Sequence, residues 1–388
     1  MALPPHDRLL LRYGEVGLKS RAVRVRMEKT LQRQLEDALL RERSEGLVRR
    51  GQGRLFIETG DIATASKIAE HTFGITTFSP CVRIPTDYDL ILKTAGEYAA
   101  EHWPEGAKRF ALRPRRSGTH PFTSQDVAIN AGSAVYVAAK NKGVDVSVDL
   151  DKSEWELFIE VRERDTYLYH ERVPGPGGLP MGTQGRMVVL LDSADAAAAA
   201  YLMMRRGAAM HPIYFPQIVG TKARLDAPKS VDDDDHPALH LHRALREWNA
   251  PAFIKQWWLD DETVESITGD PVPDDGVPLI RTMLAAASAH AHRVGAQAIM
   301  TGETARSPWA PRLPETVGAA DLPILRPVMG LTRPVIDDFR EILDLPRLSG
   351  TREREEERAY TAGGRREARS RKRDETVRPV EGTAWDPW

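Results

Sequence analysis

Asp192, Ser193 and Asp195 stand between a wholly apolar run, residues 187–191, and an alanine-rich stretch that ends at Gly207. Two carboxylates and a hydroxyl at that spacing mark a turn that leaves a strand and enters a helix. In α/β proteins this turn is where phosphate is held, because the first N–H groups of the helix point outward there. Phosphate cradles also need glycine, since a Cβ keeps an anion away from the backbone. No glycine lies between Gly185 and Gly207. Asp192 adds charge of the wrong sign: at an effective dielectric of about 20, two unit charges roughly 4 Å apart repel by about 4 kcal/mol, close to three decades in affinity. A helix dipole offsets at most about 2 kcal/mol of that. The local chemistry is that of a helix cap, with Asp192 or Ser193 accepting from the first turn.

A second set of candidates is cationic. Arg113, Arg115 and Arg116, with Ser117 and Thr119, read as a loop of forked donors and hydroxyls suited to phosphate oxygens. Lys140 and Lys142 end the neighbouring predicted helix, and Lys19 and Arg21 add charge near the start of the chain. RNA duplexes are read largely through backbone and shape, which such a face suits; a merely solvated charged face has the same composition. His236 and His240 lie four apart on a predicted helix with His242 beyond, and His290 and His292 form another pair. No zinc-motif glutamate accompanies them, so no metal site is expected. Cys81 is the single cysteine, which excludes an internal disulfide, suits a reducing compartment and predicts a buried, inert thiol.

The elements that must position these groups follow from periodicity. Val23, Met27, Leu31, Leu35 and Leu39 recur every four residues within a helix over 20–42. With strands at 9–13, 47–50, 54–58 and 74–79 and a helix over 62–70, the order is the β-α-β-β-α-β of a ferredoxin-like unit. Residues 88–103 and 123–142 read as helices around a strand at 109–113, followed by strands at 144–150, 156–162 and 166–171. Beyond the central turn, strands at 210–215, 253–258 and 296–300 alternate with helices over 237–248, 277–294 and 333–343. This alternation implies a doubly wound parallel sheet. The stretch 352–378 is almost wholly polar and reads as a tail without a core of its own; Trp385 and Trp388 have no explanation in the sequence.

The 388 residues, 41% hydrophobic and 28% charged, are those of a water-soluble chain of two or three domains. No apolar run is long enough to cross a membrane. The opening lacks the basic and apolar regions of a signal peptide, which predicts a cytoplasmic location. A net charge of −2 conceals a basic front half and acidic runs at 232–235 and 260–265, and a basic half is the footprint RNA binding needs.

Pro174-Gly175-Pro176-Gly177-Gly178-Leu179-Pro180, then Gly182, Thr183 and Gly185, and after the turn Ala199-Ala200-Tyr201-Leu202, resemble the linker and helix of the tRNA 4-thiouridine synthetase (ThiI) family. Arg12-Tyr13-Gly14-Glu15, Leu18-Lys19-Ser20 and Phe73-Gly74-Ile75 resemble its ferredoxin-like domain. Residues 110–120, with Phe122-Thr123-Ser124, resemble the RNA-binding THUMP domain. Thr301-Gly302-Glu303-Thr304 and Leu325-Arg326-Pro327 resemble later motifs of the same family. Between those anchors the family carries a PP-loop of the form Ser-Gly-Gly-x-Asp-Ser, whereas this chain reads Leu191-Asp192-Ser193-Ala194-Asp195-Ala196, so Asp195 alone is retained. The family's sulfur transfer also requires a cysteine in this domain, and none follows Cys81.

The resemblance implies a ferredoxin-like domain at 1–80, a THUMP domain at 81–173, a linker at 174–186, a PP-loop-like (Rossmann-like) α/β domain at 187–347, and a tail at 348–388. It implies Asp195 as the catalytic residue, with Leu191, Asp192, Ser193, Asp195, Gly302 and Glu303 as the remnant of a nucleotide site. The leading expectation is a tRNA-binding protein with a degenerate PP-loop and impaired or absent uridine adenylation, without a cofactor. The alternatives are an active tRNA sulfurtransferase using ATP, magnesium and an external sulfur-donor protein, and a scaffold that binds no RNA. A homodimer is expected by analogy with the family; DNA and membranes are not expected as partners.

Overall fold

The structure, a computed structural model, describes residues 3, 5–51, 53–215, 218–219, 222–223, 237–257, 276–307 and 310–347. The acidic runs 232–235 and 260–265, His236, and the tail with Trp385 and Trp388 lie outside the described residues.

The first unit has the expected ferredoxin-like order: β1 (Arg8–Tyr13), α1 (Arg21–Arg41), β2 (Leu47–Gly51), β3 (Arg54–Glu58), α2 (Ile62–Glu70) and β4 (Ile75–Pro85). Its strands lie in the order β2-β3-β1-β4, all antiparallel. Met27, Leu31, Leu35 and Leu39 line one face of α1 and are buried with Leu9, Leu11, Leu55 and Ile57. At about 2 kcal/mol for each buried side chain of this size, the stripe contributes as much as the net stability of a typical domain. Packing on that stripe fixes where α1 lies.

The second unit adds α3 (Tyr88–His102), β5 (Arg109–Arg116), α4 (Ser124–Asn141), β6 (Ser147–Val148), β7 (Trp155–Val161), β8 (Asp165–Tyr169) and β9 (Val173–Pro174). α4 opens on a reciprocal cap, in which Thr123 accepts from the Asp126 N–H and Asp126 accepts from the Thr123 N–H. Two readings from sequence need correction here. β4 does not stop at residue 79: its first part pairs with β1 and its last, Val82 to Pro85, with β8, so one strand joins both units into a nine-stranded sheet. The expected boundary at 80/81 falls inside that strand. Nor do Arg113, Arg115 and Arg116 form a loop, because β5 continues through them, in register with Phe158, Glu160 and Val161 of β7.

The third unit is the doubly wound domain. It comprises β10 (Arg186–Leu190), α5 (Ala194–Arg205), β11 (Ala209–Tyr214), a hairpin of β12 (Ile218–Val219) and β13 (Lys222–Ala223), and α6 (Pro237–Glu247). There follow β14 (Lys255–Gln256), α7 (Gly276–Val294), β15 (Ala298–Met300), β16 (Ile324–Leu325) and α8 (Arg333–Ile342). The sheet order β14-β11-β10-β15-β16 is parallel throughout. The unbroken apolar run of β10 now has its reason: Met187, Val189 and Leu191 pack toward α5, α6 and α8, while Val188 and Leu190 pack toward α7. Among the described residues, no helix is long and apolar enough to cross a membrane.

The proline–glycine segment straps the third unit to the first. Gly74 N–H donates to Gly177 O at 2.7 Å, Gly177 N–H to Ile75 O at 2.8 Å, and Leu179 N–H to Arg205 O at 3.0 Å. Phe73 of the first unit packs against Tyr201 and Trp248 of the third, with ring centroids 5.3 and 5.4 Å away. Gly178 has φ +76°, and a Cβ there would lie 2.1 Å from Arg205 O. Gly178→Ala is therefore expected to lower stability toward urea by about 2–3 kcal/mol through backbone strain and displacement of the strap. An unchanged urea midpoint would show that the contact is dispensable.

Candidate functional site

The turn between β10 and α5 lies at the carboxyl edge of the parallel sheet, and every residue expected at the nucleotide site is brought to it or beside it. Ser193 is the N-cap: its Oγ accepts from Ala196 N–H at 3.2 Å and donates to Asp192 at 3.0 Å. Its carbonyl receives the Ala197 N–H at 3.1 Å. Leu191 is in the core and offers no surface to a ligand. Gly302 follows β15 and lies against the first turn of α5, where a Cβ would come within 2.4 Å of Ala196 N. Its lack of a side chain therefore serves this close approach. Asp192 is exposed. Desolvation of its carboxyl by the surrounding protein and, next, the Glu303 carboxylate nevertheless push it above the usual carboxylate range.

Asp195 is held by two arginines of α8. Arg333 Nη1 lies 2.8 Å and Arg340 Nη1 3.3 Å from Asp195 Oδ1. Arg340 is buried. Glu303 faces Arg326, with 3.7 Å between Oε2 and Nε. Among the described residues, Thr301 Oγ1, Glu303 Oε2, Arg326 Nε and Arg340 Nε are buried without a hydrogen-bond partner. Arg326, Arg333 and Arg340 were not among the site residues expected from sequence. The seven-residue spacing of Arg333 and Arg340, two helical turns, was the available signal.

The histidines and the cysteine sit elsewhere. His242 Nε2 bonds Pro251 O at 2.9 Å, and His292 Nε2 lies 2.6 Å from Asp321. Among the described residues, no group of three His, Cys, Asp or Glu could hold a metal. Cys81 is fully buried in mid-strand, where desolvation pushes its thiol far up.

The cationic candidates divide into two groups. Arg113 is tied down, with Nε 2.8 Å from Glu156 and Nη2 2.6 Å from Leu150 O, so it is not the free donor expected. Lys140 pairs with Asp145 and lies 5.5 Å from the Tyr136 ring. Arg115, Arg116, Ser117 and Lys142 are exposed, as are Lys19 and Arg21 at the entrance to α1 on the first unit. Arg116 Nη1 donates to Gly118 O at 3.2 Å. Between α4 and β6 runs an apolar groove of ≈ 490 Å³ lined by Ile129, Tyr136, Val137, Val148 and Leu150. The exposed apolar residues of α4 were the missed signal for it.

Asp195 joins α5 to α8, so Asp195→Ala would leave two guanidinium groups facing each other without their carboxylate. Removing one member of such a part-buried set is expected to cost about 3 kcal/mol. A loss below about 0.5 kcal/mol in urea unfolding would contradict a structural role, that being the size of a surface substitution.

Comparison with known proteins agrees with this architecture. Family models match in succession: the ThiI ferredoxin-like domain at residues 8–79, the THUMP domain at 85–171, and the thiamine biosynthesis protein (ThiI) domain at 182–353. A probable tRNA sulfurtransferase of Methanobrevibacter smithii is 34% identical over 339 residues, covering 84% of each chain. One from Methanosarcina acetivorans is 33% identical over 352 residues, covering 88% of this chain and 81% of the relative. Among solved structures, a 4-thiouridine synthetase in complex with RNA and bound ATP superposes with a TM-score of 0.69 at 24% identity, over 86% of this chain and 84% of that one. PH1313 from Pyrococcus horikoshii superposes with a TM-score of 0.67 at 22% identity, over 87% and 99%. Three domain matches in the family's order, with full-length relatives above 30% identity, place this chain in the THUMP-containing tRNA sulfurtransferase (ThiI) family.

Proposed function

We propose that this member of the family binds tRNA through its first two domains, while its third no longer carries out ATP-dependent activation of uridine. The observation that carries the reading is the turn Leu191–Asp195. The Ala196 N–H, one of the donors a phosphate would use, is already answered by Ser193 Oγ. Asp192 stands where phosphate charge would gather, and Asp195 is engaged by Arg333 and Arg340. These residues do not fit a triphosphate, so no catalytic step is drawn through ATP. Cys81 offers no thiolate for sulfur transfer, and no cysteine follows it.

RNA binding is supported by the exposed cations Arg115, Arg116 and Lys142 and by the apolar groove along α4. Tyr136 in that groove gives an unstacked base a ring to lie on, and neighbouring cations meet the phosphates. The solved relative of the same fold was captured with RNA.

A second reading, an active tRNA 4-thiouridine synthetase, is favoured by one observation. Among the described residues, the buried Nε groups of Arg326, 3.7 Å from Glu303 Oε2, and of Arg340 make no hydrogen bond, and a nucleotide phosphate would satisfy such donors. Sulfur would then come directly from a donor protein.

The two readings separate in one assay, in which unmodified tRNA transcript, ATP–magnesium and a persulfide donor are incubated with the protein and the product nucleosides are analysed. Retarded tRNA with 4-thiouridine no higher than in a protein-free control is the expected result. 4-Thiouridine accumulating with protein concentration would overturn the proposal. Weakening of tRNA binding by about tenfold in an Arg115→Gln/Arg116→Gln/Lys142→Gln variant is expected if these groups contact about three phosphates. Unchanged affinity would remove this surface from the account.

A further inference from the structure

On its α7 side, the third domain carries a cationic cluster that runs from the edge strand β14 to the start of the central strand β10. β14 is the edge strand of the parallel sheet, and Lys255 lies in register with Ile213 of β11. His211 is two residues earlier on β11, on the same face of the strand, the face covered by α7. Trp257 continues from β14, and its N–H donates to Tyr214 O at 2.9 Å. Two α7 side chains close on its indole: His290 edge-on at 5.8 Å, and Arg293 with its guanidinium 4.7 Å from the ring centroid. Arg186, at the start of β10, reaches the end of α7, with Nη1 3.5 Å from Val294 O.

The charge of this edge is one-sided. Among the described residues, Arg186, His211, Lys255, His290 and Arg293 form no ion pair with a carboxylate, and nearby Asp321 is committed to His292 and Ser288. Burial first, then Arg293, His211 and Lys255, pushes His290 down; burial first, then Arg186, does the same for His211. Arg186, Lys255 and Arg293 are exposed, so their charged heads are available to a ligand. The indole under Arg293 holds that planar fork in place, which favours bidentate contact with phosphate oxygens over contact with a point charge.

We propose that this edge is a second RNA-contact surface, where Arg186, Lys255 and Arg293 bind backbone phosphates. The inference rests on the reading that the protein binds tRNA. It adds that the third domain takes part in holding the RNA, whatever the state of the PP-loop turn.

The test is tRNA binding by fluorescence anisotropy across a salt series, using full-length protein and the Arg186→Gln/Lys255→Gln/Arg293→Gln variant. Loss of three phosphate contacts is expected to reduce the slope of log K against log salt by about 2–3 and to lower affinity at least tenfold near 100 mM salt. Lys255→Gln alone, at an exposed position unable to unfold the sheet, is expected to reduce the slope by about 0.8. Wild-type affinity and slope in both variants would overturn the inference while leaving tRNA binding standing. Absence of tRNA binding by the unaltered protein would instead overturn the reading beneath it. Capture of a polyglutamate peptide that the triple variant loses, with tRNA binding unchanged, would overturn the inference in favour of an acidic protein partner.

Discussion

The carboxylate of Asp195 between Arg333 and Arg340 is the interaction on which the rest of the third domain turns. It ties the first turn of α5 to α8, two elements 138 and 145 residues apart in sequence at these contacts. Where a nucleotide-binding relative would spend the start of this helix on phosphate, the present chain satisfies it internally. Ser193 caps the helix, the backbone of Gly302 packs on its first turn, and the arginines neutralise its acid. The alanines Ala196 to Ala200 are fully buried, so the helix can lie flush on the sheet without side chains to hold it off. These contacts make the segment a well-packed strand–turn–helix without any group from outside the chain.

The first two domains act as one platform because β4 runs through both in a single sheet. A boundary inside a strand resists independent motion, since bending there would break ladder bonds on one side or the other. Leu10, Phe56, Cys81, Tyr167 and Tyr169 form a small core across that junction. The glycine strap then fixes the third domain to the first through main-chain bonds. Such a body holds its exposed cations at fixed separations, as the proposed recognition of RNA by backbone and shape requires.

Much of this was legible in the residues, and the failures have physical causes. The α1 stripe, the apolar β10 run, the Ser193 cap and the Gly207 end of α5 are local patterns, and all appear in the fold. β4 was cut short because Pro80 and Pro85 look like strand breakers, yet proline is tolerated where its nitrogen needs no ladder partner. Arg113 to Arg116 resembled a loop because charge interrupts the apolar alternation. Its parallel neighbour β7 lies more than forty residues away in the ladder and cannot be seen locally. The arginine clamp was half legible: Arg333 and Arg340 are spaced two helical turns apart, but the acid they hold lies 138 and 145 residues away. Glu156 and Asp145, which hold Arg113 and Lys140, likewise show that counting basic residues overstates the charge available to RNA.

The most direct test of the central claim is calorimetric titration of ATP–magnesium into the protein with tRNA already bound. The account predicts no detectable heat up to millimolar nucleotide, because the Ala196 N–H and the Asp195 carboxylate are already engaged by the chain itself. Micromolar binding that disappears in Asp195→Asn would contradict it, and would mean that Arg333 and Arg340 release the carboxylate to a nucleotide held by another route.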